Sequence, residues 1–352
     1  MTTPISKPIN NTAWYDNLRV IATIGVIFIH VSSDYVPSSG TISDYTFWIG
    51  NIFDSFSRFS VPIFVMLSGA LLLPKNELLD IYLKKRIVRL IFPFLFWSCL
   101  YIIYSFAYGD NADLKLSVTE TLRIVLISLR DGSSLHFWYI YMIFGLYLFV
   151  PIIGKWIRNS KPTEIRYFLF IWLFTLIFNL PYVENLKPDV DLSYFSGFLG
   201  YLILGYYLTV IVKNDNQLKT NRLAIILMSV GIIITVLGTY LDHYFSNQYS
   251  SIFYEPLSPN IFLYATGLFL YFKNKDIRLP ILGRIRTLIC RYSYGIFLGH
   301  VLILNLLYNF NIRWNFINPI IGIPFTSLLC LIITLSIVGA INKIPFGKYI
   351  SG

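Results

Sequence analysis

An all-α polytopic membrane bundle of about ten transmembrane helices, with both chain ends cytoplasmic, is the fold this sequence predicts. Three observations predict it. The 352-residue chain is 56% hydrophobic and only 13% charged, about half the charged share of an average soluble domain. Apolar runs able to cross about 30 Å of hydrocarbon recur along its whole length. The basic residues are one-sided: with the N-terminus inside, 21 of the 28 lysines and arginines fall in inner segments, as cytoplasmic loops require.

In chain order the runs lie at 15–36, 53–73, 88–108, 136–154, 166–181, 196–212, 222–241, 259–272, 292–310 and 319–341. The second carries Pro62, which interrupts the helical hydrogen-bond ladder one turn in, and the small pair Ser68-Gly69, which admits a neighbouring helix closely. The third is entered through Lys84-Lys85-Arg86-Ile-Val-Arg89, so Arg86 and Arg89 share one face at that helix's cytoplasmic N-terminus. The chain reads as a single membrane domain over 1–352. A cytoplasmic tail is expected at 1–13, an outer loop at 109–135 with helical pattern at Val118 to Leu129, and a cytoplasmic tail at 342–352.

The N-terminus lacks the charged region, apolar core and small-residue cleavage site of a removable signal, so the first span is expected to stay. Cys99, Cys290 and Cys330 lie in spans or at the inner face, and no disulfide is expected. Topology and anionic inner-leaflet lipid account for the net charge of +10, so no nucleic-acid partner is expected.

The first span holds the strongest candidate site. An arginine near a helix centre costs roughly 2.5–3.5 kcal/mol on insertion scales, and ionisable side chains kept at that depth usually line a site or pathway. Arg19 and His30 are eleven residues apart, which returns them to within about 20° of one helix face at an axial separation of about 16 Å. Asp16, Val26 and Asp34 complete that seam, so any shared task is done at two depths. Histidine exchanges protons near neutral pH without special tuning, which makes His30 a general-base candidate. The alternative is a buried histidine hydrogen-bonded to a neighbouring helix.

Other candidates each have a plain structural reading beside the functional one. Arg58, near the outer end of the second run, either snorkels to the interface or anchors an anionic acceptor or an internal carboxylate. Arg86 and Arg89 suit a phosphate-bearing cytosolic ligand, although inner-side charge bias explains any single lysine beside them. His136 and Trp138 open the fourth run, where an aromatic belt and a sugar-binding platform share the same residue types. His300 falls near the middle of the ninth run, and a second buried histidine points to a polar cavity. There is no P-loop, His-Glu-x-x-His, Cys-x-x-Cys or Gly-x-Ser-x-Gly motif, so nucleotide-hydrolysing, metal-centred and hydrolase chemistry lose support. No metal site and no tightly bound cofactor are expected.

Asp16-Asn-Leu-Arg19 with His30, the run Val61-Pro-Ile-Phe-Val-Met-Leu-Ser-Gly69, Arg86-x-x-Arg89, His136-Phe-Trp138 and Ser293-Tyr-Gly-Ile-Phe-Leu-Gly-His300 together resemble the acyltransferase 3 family of integral membrane acyltransferases. The resemblance spans nearly the whole chain. It is nearest the stand-alone branch that O-acetylates surface polysaccharides such as enterobacterial common antigen, a branch that includes the membrane protein of the intercellular-adhesin system. It implies a ten-helix bundle in the cell (inner or plasma) membrane that takes acetyl from cytosolic acetyl-CoA and delivers it to a hydroxyl of a cell-surface glycan or lipid-linked oligosaccharide. By position, His30 matches the family's essential histidine, Arg19 its arginine partner, and Arg86 and Arg89 its cytoplasmic arginine pair. Unlike fused members, the chain is expected to carry no appended esterase-like domain.

The expected mechanism has His30 accept the proton of an acceptor hydroxyl as it attacks the thioester, with Arg19 positioning the donor or stabilising developing charge. An acetyl-histidine intermediate is the variant route. Arg58, His136, Trp138 and His300 are expected on the acceptor side. Two other classes compete: a polysaccharide or lipid-linked glycan transporter, in which Arg19, His30 and His300 form a path, and a structural scaffold that tolerates loss of His30.

Overall fold

A computed structural model describes residues 13–35, 43–109, 111–112, 116–178, 180–187, 189–213, 216–246, 250–273, 275 and 283–352. The expected tail at 1–13 lies, but for Ala13, outside the described residues. Among those described the structure is helical throughout: α1 (Ala13–Ser32), α2 (Asp44–Ser55), α3 (Ser60–Leu72), α4 (Leu79–Tyr108), α5 (Val118–Asp131), α6 (Trp138–Asn159), α7 (Pro162–Phe178), α8 (Leu199–Tyr206), α9 (Gln217–Ser246), α10 (Pro259–Phe272), α11 (Gly283–Asn309), α12 (Pro319–Lys343) and α13 (Gly347–Ile350). Every one of the ten expected runs contains a helix. By length and composition, six described stretches can each cross a membrane: Asp44–Leu72, Leu79–Tyr108, Leu135–Asn159, Gln217–Ser246, Gly283–Asn309 and Pro319–Lys343.

Two expectations change. The second run is not one helix interrupted at Pro62. It is two helices, α2 and α3, joined by a turn over 56–59, and Pro62 sits in the first turn of α3. There the missing N–H has no intrahelical acceptor to lose, so proline is accommodated rather than disruptive. The third helix begins at Leu79, about two turns before Arg86. Arg86 and Arg89 therefore offer guanidinium groups from a helix flank, away from the free amides of its first turn.

α1 is the central helix and packs against α11, α3, α12 and α2. Its buried stripe of Leu18, Ala22, Val26, Ile27 and Val31 explains why a helix bearing Asp16, Arg19 and His30 forms at all: its apolar face is enclosed by protein. α3 and α8 cross at reciprocal glycines. A Cβ added at Gly69 would overlap the Leu202 carbonyl, and one added at Gly205 would overlap the Met66 carbonyl, so only glycine lets the two backbones meet. α4 and α9 lie at the periphery, where only 22% of each apolar window is buried and lipid is the natural covering.

One end of the bundle gathers basic side chains, and some of them finish helices. Arg158 donates to the carbonyls of Leu73 and Lys75 (2.8 Å each) just past the end of α3. Lys273 donates to Leu208 and Val212 (2.6 and 2.5 Å) where the π-helical turn after α8 ends. Both place cations against orphan C-terminal carbonyls. The final residues fold back into this end, with Ser351 buried and its carbonyl accepting from Trp97 Nε1 at 3.4 Å.

Candidate active site

At the basic end, α1, α3, α4, α6 and α11 enclose a cleft of about 300 Å³. Five basic residues line it: Arg19, Lys75, Arg86, Arg89 and Arg291. Arg86 is partly compensated by Glu77 at 3.7 Å, and Lys85 meets the same carboxylate at 3.6 Å. Arg89 makes no ion pair among the described residues. Arg19 is held on both sides: its Nη1 donates to Cys290 Sγ at 3.2 Å and lies 3.9 Å from Asp16 Oδ1, while the Cys290 thiol donates to Asp16 at 3.0 Å. Ser68 and Tyr147 share a hydrogen bond of 3.2 Å on the α3–α6 wall of the same space. Several cations about one concavity form an anion-binding field that no single surface lysine provides.

The cleft ends against Tyr139 and Phe297, whose ring centres are 4.9 Å apart. Beyond Phe297 lie His136 and His300, with centres 5.3 and 5.9 Å from its ring. Three histidines from three helical segments meet there. His30 is 5.1 Å from His300 and 5.8 Å from His136, and His136 is 4.9 Å from His300. The shared face of Arg19 and His30 is thus divided between two sites, as their separation in depth requires: Arg19 in the charged cleft, His30 in the histidine cluster.

Hydrogen bonding distinguishes the three rings. His136 sits in the short 3-10 turn before α6, where its Nδ1 accepts from Ser134 Oγ at 2.9 Å and its Nε2 donates to the Leu298 carbonyl at 3.4 Å. His300 is fully buried, and its Nδ1 faces the carbonyls of Phe297 (2.7 Å) and Ile296 (3.2 Å) on its own helix. His30 is half-buried and forms no hydrogen bond with a described residue. Among the described residues no group of three or more His, Cys, Asp or Glu stands in metal-holding geometry.

The remaining candidates fall outside both sites. Arg58 pairs with the fully buried carboxylate of Asp54 on α2 and places its guanidinium 4.3 Å from the Tyr254 ring centre, so the internal-carboxylate alternative describes its contact. Trp138 is 44% exposed and packs against Phe198 and Tyr139 at 5.8 and 6.3 Å, outside the histidine cluster. Sequence reasoning missed Asp54, the contact of Cys290 with Arg19, and the cleft-lining role of Lys75 and Arg291. The Asp54–Arg58 pair was open to reading, since a carboxylate four residues before an arginine meets it on a helix.

A family model described as an acyltransferase domain matches residues 12–339, nearly the whole chain. The chain belongs to the acyltransferase 3 family. With its several membrane-competent helices, this family member is a multi-pass membrane acyltransferase. No curated protein and no solved structure matches it.

Proposed function

We propose that this acyltransferase moves an acetyl or similar short acyl group from cytosolic acetyl-CoA to a hydroxyl of a cell-surface polysaccharide or its lipid-linked precursor, with His30 as general base. The observation that carries the reading is the arrangement of α1, which presents Arg19 to the cationic cleft and His30 to the histidine cluster. In this reading residues 1–352 form one ten-helix domain of the cell membrane, with the basic end and both termini cytoplasmic. One-sided basic residues support that orientation.

Arg86 and Arg89 take the donor's phosphates, for which a guanidinium fork is the best-matched side chain. Arg19, steadied by Asp16 and Cys290, positions the donor within the cleft. The acceptor hydroxyl approaches from the opposite end and loses its proton to His30 as its oxygen bonds to the acyl carbon. The carbon–sulfur bond then breaks, and the departing thiolate takes a proton to leave as the free thiol. Phe297 and Tyr139 stand between donor cleft and base, so the acyl group passes this layer to reach the hydroxyl that His30 activates. Arg58, held by Asp54, and Trp138 lie on the acceptor side and line the outer approach.

The test is acyl transfer itself, measured as labelled acetyl moved from acetyl-CoA to envelope glycan in membranes carrying the protein. Label in glycan together with stoichiometric free thiol supports the reading. Glycan translocated with no thiol released, given a competent acceptor, replaces it with transport.

A further inference from the structure

We infer that His300 is a positioning residue that fixes the tautomer of His30, the part a buried carboxylate plays for histidine in other acyl-transfer sites. The inference rests on the reading of His30 as the base and adds the device that makes it one.

The geometry assigns the protons. A carbonyl oxygen can only accept, so His300 Nδ1, 2.7 Å from the Phe297 carbonyl, carries the hydrogen. Its Nε2 is then a lone pair. That nitrogen is buried and has no partner among the described residues, in a side chain with no exposed surface. His136 is fixed the other way, its Nε2–H directed at Leu298 and its Nδ1 occupied by Ser134, so both its nitrogens are engaged. His30 is the remaining ring, with no hydrogen bond to a described residue and its centre 5.1 Å from His300. Imidazoles at that separation reach a nitrogen-to-nitrogen hydrogen bond of about 3 Å when one ring turns its edge to the other.

Such a bond has one allowed polarity. His300 Nε2 accepts, so His30 donates through one nitrogen, and its other nitrogen keeps the lone pair. When that nitrogen takes the hydroxyl proton, His30 becomes an imidazolium whose second N–H already has a buried acceptor. The proton leaves His30 again for the thiolate, and His300 ends the cycle as it began.

The scaffold keeps His300 in place. The Tyr101 hydroxyl donates to the Leu298 carbonyl at 3.0 Å and accepts from the Leu302 amide at 2.8 Å, clamping the turn of α11 that carries His300. Cys330 on α12 donates to the His300 carbonyl at 3.4 Å. A side chain fixed this firmly suits orienting a neighbour better than visiting a substrate.

The test uses the full-length protein in lipid nanodiscs. The chain has four histidines, so ¹⁵N-labelled imidazoles can be assigned by single replacement and their tautomers read directly. His300 is expected as the Nδ1–H form, and His30 as one tautomer that becomes a mixture in His300→Phe. That variant should lose kcat by roughly 100-fold, the scale of a general acid–base contribution, with the donor KM within about twofold. His300→Gln, whose amide oxygen can accept from His30, should recover most of the loss. An Nε2–H signal for wild-type His300 overturns the inference even if the phenylalanine variant does not fold. So does a folded His300→Phe enzyme with unchanged kcat. Full activity in His30→Ala would instead defeat the general-base reading and leave the His300 assignment standing.

Discussion

The cationic cleft and the histidine cluster share α1 and α11, yet they hold charge in opposite ways. The cleft is open and cationic, with Arg89 unpaired among the described residues and Arg86 only partly offset by Glu77. In the cluster His30 is half-buried, while His136 and His300 are almost wholly inaccessible, their imidazoles bonded to backbone carbonyls of α11. An anionic ligand arriving from water needs exposed counter-charge that costs little to maintain. A base needs a ring with a defined lone pair, which a fixed hydrogen-bond acceptor beside it provides. Substitutions in one region should therefore change binding, and substitutions in the other should change chemistry.

The largest effect is expected at His30. His30→Ala should lower turnover by about 10²–10⁴-fold, the range for a removed acid–base group, with expression and donor affinity intact. Single-turnover transfer checks it, and a variant within threefold of wild type would erase the chemical half of the comparison. Next comes Arg89→Ala, which removes a charge-assisted contact worth about 1.5–3 kcal/mol and should raise the donor KM by about 10- to 100-fold with little change in kcat. Raising ionic strength from about 0.05 to 0.5 M should weaken donor binding to the wild type more than to this variant, because exposed charges are screened. Cys290→Ala should have a smaller, mixed effect of a few-fold on kcat and KM by loosening Arg19, and Cys290→Ser, which keeps a donor to Asp16, should recover much of it.

The smallest effect lies outside both regions. The exposed helix α5 begins with a capping box in which Ser117 accepts from the Glu120 amide and the Glu120 carboxylate accepts from Ser117. Those bonds hold the Glu120 carboxyl below its usual pKa. A depressed carboxyl stabilises above its unfolded pKa and loses that contribution as pH falls through the folded value. Amide exchange at the start of α5 should therefore quicken, relative to its intrinsic rate, as pH falls through the acid range. It should do so only weakly in Glu120→Gln, while transfer activity stays the same.

Much of this was legible in sequence, for reasons particular residues make plain. A 3.6-residue period and a known rise sufficed to place Arg19 and His30 on one face at two depths. The motifs containing His136 and His300 were visible, but their meeting with His30 was not, because it depends on how α11 and the segment before α6 cross α1. Arg291 and Lys75 read as inner-loop charges until the packing of α3 and α11 against α1 turned them toward one cleft. Pro62 misled because its effect depends on where the helix starts. The turn over 56–59, which moves that start to Ser60, has no strong turn signal in Phe56-Ser57-Arg58-Phe59.

The measurement that tests the division of labour most directly is equilibrium binding of acetyl-CoA to purified His30→Ala and Arg89→Ala proteins, with acyl transfer measured on the same samples. The predicted result is wild-type affinity without transfer in the first, and weakened affinity with near-normal turnover at saturating donor in the second. Loss of binding in a folded His30→Ala protein, or unchanged affinity in Arg89→Ala, would contradict the separation of a donor cleft from a histidine base.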